Sequence, residues 1–127
     1  MDIQTVTYMA NDYDEAIAYF TQKWDFVLLQ DEVQVEYDRR FILLAPTKQA
    51  TMKLLIKQAK TPDEKALVGR QAGEDVFLFL QTNDFDAEYA RLKEKGVIFL
   101  KEPEVKPYGT VTIIEDLYGN KWDFIGN

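Results

Sequence analysis

The sequence predicts an α+β fold made of two tandem β-α-β-β-β modules. Three observations carry that expectation: a weak internal repeat, a capped amphipathic helix at the same place in each half, and three strand-like segments after each helix. Sliding the chain against itself by 72 residues lays Asn11-Asp12-Tyr13-Asp14 on Asn83-Asp84-Phe85-Asp86. The same offset takes Ala18 to Ala90, Lys23 to Lys95, Phe26 to Ile98 and Leu28 to Leu100. Identities are few, but each falls at an equivalent point of one structural pattern.

Each half opens with an apolar strand candidate, Ile3–Ala10 and Asp75–Thr82. Asp12 and Asp84 then stand where a helix N-cap belongs, because a carboxylate accepts from the free N–H groups of the first turn. Glu15 completes a capping-box spacing in the first half. Tyr13, Ile17, Phe20 and Trp24 recur at helical spacing on one face. Phe85, Tyr89 and Leu92 do so in the second half, which stops at Gly96, a residue suited to a left-handed C-terminal cap. The strands that follow are Phe26–Asp31, Arg40–Ala45 and Thr51–Lys57, then Val97–Lys101, Thr110–Glu115 and Lys121–Ile125. Tyr118-Gly119-Asn120 supplies the turn before the last of them.

These spans divide residues 1–127 into module one (3–57), a polar connector (58–74) and module two (75–125). Neither module alone would bury both faces of its sheet, so the expectation is a single domain. A chain of 127 residues is the size of one such domain.

Composition removes several functions. Fifteen Lys and Arg against twenty-two Asp and Glu give a formal charge of −7, which repels nucleic acid and anionic membrane. The chain has no Cys and no His, so disulfides, thiol catalysis, thiolate metal sites and histidine general bases are all absent. No apolar run approaches the roughly 18 residues that span a bilayer, and Met1-Asp2 does not open a secretion signal. The expected location is the cytoplasm.

Two such modules, with Asp14-Glu15-Ala16-Ile17-Ala18-Tyr19-Phe20 as first helix and Glu115-Asp116-Leu117-Tyr118-Gly119-Asn120-Lys121-Trp122-Asp123-Phe124 as final hairpin, resemble the vicinal oxygen chelate superfamily. That superfamily includes glyoxalase I, bleomycin-resistance proteins, fosfomycin-resistance enzymes and extradiol dioxygenases. The resemblance covers essentially the whole chain and implies a glyoxalase-like fold, a curved mixed sheet around a concave ligand cavity. In metal-dependent relatives, ligands come from the first and last strands of each module and point into that cavity.

Carried over, those positions fall on Thr5 and Phe77 in the first strands and on Lys53 and Asp123 in the last. The repeat offset takes Thr5 to Phe77, and a drifted offset of 70 takes Lys53 to Asp123. Strand alternation would turn Phe77, Phe79 and Asp123 to the cavity and Leu78, Leu80, Trp122 and Phe124 to the helices. Only Asp123 of the four is a ligand for a divalent cation, and Lys53 would bring a positive charge to the same place. The expectation is a site with no metal and no other cofactor.

Lys53 and Asp123 then read either as a structural ion pair, with Lys53 free to extend toward solvent, or as groups that meet a ligand. Phe77 and Phe79 read as ordinary core or as an aromatic floor, and Thr5 and Thr7 as strand formers or as hydroxyls that orient a ligand. The charged run Glu36–Arg40 reads as a solvated edge, and Val68–Gly73 as a connector that lacks phosphate-loop spacing.

Three functions remain. The first is metal-independent binding of a small organic molecule by Thr5, Thr7, Lys53, Phe77, Phe79 and Asp123. Resembled bleomycin-resistance proteins sequester a cationic drug in this way, as acidic dimers, and the resemblance implies a homodimer here. The second is a lyase, isomerase or oxygenase with a non-standard site, using Asp123, Glu115 or Lys53. The third is an interaction protein whose groove is filled by side chains.

Overall fold

The computed structural model describes residues 1–127, which divide into two compact units, Met1–Val68 and Gly69–Asn127. In the first unit, strand β1 (Thr5–Ala10) leads into helix α1 (Tyr13–Lys23), followed by β2 (Val27–Gln34), β3 (Arg39–Ala45), β4 (Lys53–Gln58) and a short helix α2 (Pro62–Leu67). The sheet order is β1-β4-β3-β2, with β1 parallel to β4 and the other pairs antiparallel.

Helix α1 starts where the sequence places it. Asp12 is extended, and its carboxylate accepts the Glu15 backbone N–H at 2.8 Å, satisfying a first-turn donor that has no partner inside the helix. Its inner face buries Ala16 and Phe20, and Phe20 meets Tyr8 of β1 edge-on with ring centroids 5.2 Å apart. Trp24 and Phe26 close the same cluster at 5.0 and 5.4 Å from Phe20. The sheet supplies Ala10, Ile42, Leu44, Leu54 and Ile56 to this core, all buried. Strand parity therefore leaves Thr5, Thr7, Lys53, Leu55, Phe41 and Leu43 on the sheet face away from α1.

The second unit repeats the plan. β5 (Val76–Thr82) precedes α3 (Phe85–Glu94), then β6 (Ile98–Phe99), β7 (Glu104–Lys106), β8 (Gly109–Glu115) and β9 (Lys121–Gly126). Its sheet runs β5-β9-β8-β6, with β7 also paired to β8, and β5 is parallel to β9. Asp84 caps α3 by accepting the Ala87 N–H at 3.2 Å. Gly96 takes φ +83° just past the helix, with Gly96 N–H donating to Lys93 O at 3.0 Å and Val97 N–H to Leu92 O at 3.0 Å. Phe85 stacks on Phe124 at 5.0 Å and on Tyr89 at 5.7 Å, forming this unit's helix–sheet core.

The α+β architecture of two β-α-β-β-β modules is thus as the sequence predicts, each module building its own mixed sheet. Three details differ. The polar connector contains α2, capped by a reciprocal box: Glu64 N–H donates to Thr61 Oγ1 at 3.1 Å, and Thr61 N–H to Glu64 Oε1 at 3.3 Å. Its apolar residues are too few to give a helical stripe, so periodicity does not mark it. Strand β7 is an extra three-residue edge, and the predicted strand Val97–Lys101 shrinks to Ile98–Phe99. Gly69 sits at φ +77°, where an added Cβ would lie 1.9 Å from the Tyr118 carbonyl oxygen. The two-glycine stretch is therefore a close backbone approach within the second unit.

Candidate functional site

In the first unit, Thr5 pairs with Lys53 and Thr7 with Leu55 in the parallel β1–β4 ladder. Thr5 and Thr7 are exposed and Lys53 is half-buried, its ammonium 3.5 Å from the Thr51 carbonyl, the outer limit of a hydrogen bond. In the second unit, Asp123 is half-buried and pairs with Phe79 on one side and Ile113 on the other. Phe79 is 75% exposed, so little of its ring is covered.

Phe77 departs from simple alternation. A register irregularity between Val76 and Leu78 inserts it as a bulge, and its ring lies edge-on to Trp122 at 6.0 Å. Alternation assigns these two side chains to opposite faces; the bulge re-aims Phe77.

The register also changes which positions correspond in the two modules. Since Thr7 pairs with Leu55 and Phe79 with Asp123, the counterpart of Asp123 is Leu55, and that of Lys53 is Lys121. The β3–β4 loop (46–52) is two residues longer than the β8–β9 loop (116–120), which moves the correspondence by one side-chain repeat and leaves face parity intact.

The final hairpin fixes β9. Asp116 is buried, and its Oδ1 accepts the backbone N–H groups of Tyr118, Gly119 and Asn120 at 3.0–3.1 Å while Oδ2 accepts the Trp122 indole N–H at 2.9 Å. This explains the Asp-Leu-Tyr-Gly-Asn run physically: one carboxylate satisfies a whole turn and orients the strand that carries Asp123.

A further group of residues is not legible as a site in the sequence. A cavity of about 300 Å³ in the first unit is lined by Thr7, Tyr13, Tyr37, Arg39, Phe41 and Lys57, among others. The run Glu36–Arg40 thus borders a hollow as well as an edge. Arg40 grips Asp31 through two nitrogens, at 3.2 and 2.8 Å, and Asp14 at 2.9 Å, and stands over the Tyr13 ring at 5.4 Å. Its hydrogen bonds to Asp31 and then Asp14 hold its pKa above the ordinary arginine value. The parity of Arg39 with Phe41 and Leu43 along β3 was the available signal.

The donor set does not fit the superfamily's metal. No group of three or more Asp, Glu, His or Cys side chains that could hold a metal ion is present, and the carried-over positions offer one carboxylate between Thr, Lys and Phe. No helix is long and apolar enough to cross a membrane.

Two mixed sheets, each with a capped helix on one face and polar and aromatic side chains on the other, define a glyoxalase-like protein. Residues 2–124 match the Glyoxalase/Bleomycin resistance protein/Dioxygenase superfamily, and the chain belongs to it. It is 41% identical over 120 residues to an uncharacterized protein of Shewanella frigidimarina, covering 94% of this chain and 89% of that one. Among solved structures, it is similar to TnmS3, an antibiotic binding protein from Streptomyces sp. CB03234, with 27% identity, a TM-score of 0.78, and 99% and 95% of the two chains covered. UcmS2 shares the fold at 23% identity and a TM-score of 0.83, covering 98% of this chain and 97% of its own.

Proposed function

We propose that this chain is a metal-independent binding protein, working in the cytoplasm as a homodimer, that holds a small organic molecule. The strand faces that carry Thr5, Thr7 and Lys53 in one module, and Phe79 and Asp123 in the other, supply the contacts. The observation that carries the reading is Phe79: an aromatic ring 75% exposed on a sheet face, directly across the ladder from a half-buried carboxylate. An uncovered ring offers a stacking surface, and the neighbouring Asp123 favours a ligand with a cationic or hydrogen-bond-donating group. The likeness to TnmS3, an antibiotic binding protein, supports a small organic molecule as the ligand.

Native mass spectrometry of freshly purified protein tests this reading. The expected result is a dimer that retains a small organic molecule and no metal. Stoichiometric divalent metal, or a bare monomer that takes up no organic compound from a mixed small-molecule library, would overturn it.

A further inference from the structure

We propose that the cavity at the end of the first unit's sheet is an anion site for a planar aromatic carboxylate, with Arg39 as the recognising residue. The reading goes beyond the preceding one: apart from Thr7, none of the cavity's residues belongs to the positions named there.

The first argument is charge. In a chain of net charge −7, this one hollow gathers Arg39, Arg40, Lys57 and Lys60. Three of these cations are already matched inside the fold. Arg40 pairs with Asp14 and Asp31, Lys57 with Glu64 at 3.3 Å, and Lys60 with Asp38 at 3.2 Å. Arg39 is different: its Nε donates to the neutral Gln34 Oε1 at 2.8 Å and it makes no ion pair, the Asp38 carboxylate of the same hollow being held by Lys60. The Gln34 bond anchors one edge of the guanidinium and leaves both terminal nitrogens open. Two parallel N–H groups are what a carboxylate accepts in bidentate fashion.

The second argument is shape and chemistry of the walls. The Arg39 guanidinium lies over the Tyr37 ring at 5.1 Å, a cation–π contact. Tyr13 and Phe41 add aromatic surface, and Leu55 adds an aliphatic one. A volume of about 300 Å³ is at the lower end of small-ligand pockets and admits one or two fused rings.

The third argument is that the wall is built. Tyr37 ends a 3-10 turn (Val35–Tyr37) that Asp38 closes in the left-handed region at φ +52°. Lys60 staples that turn, donating to the Asp38 carbonyl at 2.6 Å and to its carboxylate at 3.2 Å. A non-glycine residue in this conformation persists where surrounding contacts hold it. The staple keeps Tyr37 and Arg39 in place beside the opening.

The test uses 2-naphthoate and its neutral counterpart 2-naphthamide, titrated into the full-length protein by calorimetry and by two-dimensional NMR. Naphthoate should bind at least about tenfold more tightly than naphthamide, with the advantage falling as salt rises, as for a charge-assisted pair. Arg39→Gln should remove that advantage and leave naphthamide binding unchanged, and Arg39→Lys should restore only part of it, because the fork is lost. Lys93→Ala, at an exposed position of α3 in the second unit, should leave naphthoate binding as it is. Failure of the unaltered protein to bind naphthoate, or equal binding by Arg39→Gln, overturns the proposal. Naphthoate affinity that depends on Lys53 and not on Arg39 overturns it too, while leaving the preceding reading of the strand faces standing.

Discussion

The Trp122 indole donates its N–H to Asp116 at 2.9 Å, and the other oxygen of that buried carboxylate collects three backbone N–H groups of the turn between them. A side chain and a turn thus share one anion, and the strand that carries Asp123 is set by it. Replacing Asp116 with Ala removes a buried acceptor shared by four N–H groups, so urea unfolding should show a loss of about 3 kcal/mol. Asp116→Asn should do less damage. Its amide oxygen still serves the turn, but its NH₂ then faces the indole N–H, donor against donor. In a Trp122→Phe background the Asn substitution should therefore cost less than it does alone.

Phe79 gives the sharpest separation of binding from stability. At 75% exposure its ring contributes little to the core, so Phe79→Ala should shift stability by no more than about 0.5 kcal/mol. If the ring is a stacking surface, the same variant should retain much less copurified organic molecule in native mass spectra. Undiminished retention would remove Phe79 from the site.

Arg40 ties α1 to β2 and β3 through Asp14 and Asp31. Its side chain is 27% exposed, so solvent screens the pairs and the expected loss in Arg40→Ala is about 1 kcal/mol. Denaturation at low and at high salt checks the electrostatic share, which should shrink as ionic strength rises.

Acid should loosen the end of the first unit. Glu64 accepts the Lys60 and Thr61 backbone N–H groups, which hold its carboxyl below the ordinary value of 4.5. A native pKa below the unfolded one means the contribution is fully present above about pH 4.5 and is lost as pH falls through the lowered native value. Hydrogen exchange of the α2 amides should accelerate over that window. Thr61→Ala removes the other half of the box and should cost about 1 kcal/mol at neutral pH.

Local signals along the chain are enough to specify the architecture of this protein. Asp12, Asp84 and Gly96 mark helix ends through the needs of unpaired backbone groups, and the apolar spacing of Phe20 and Phe85 marks the buried faces. Those signals act over a few residues, which is why they are legible in a linear chain. The absence of His and Cys bounds the metal chemistry through composition alone.

Register and the hollow, by contrast, are products of tertiary packing. A bulge at Phe77 and a β3–β4 loop two residues longer than its counterpart set the ladder register, and with it the correspondence of Asp123 to Leu55. Neither leaves a local mark, since register is fixed by how strands meet. The hollow beside Arg39 depends on Lys60 reaching back to Asp38 across 22 positions of sequence. A run of charges looks the same on a solvated edge and around a pocket; what separates them is whether each charge meets a counter-charge inside the fold, and Arg39 meets the neutral Gln34 and Tyr37 instead.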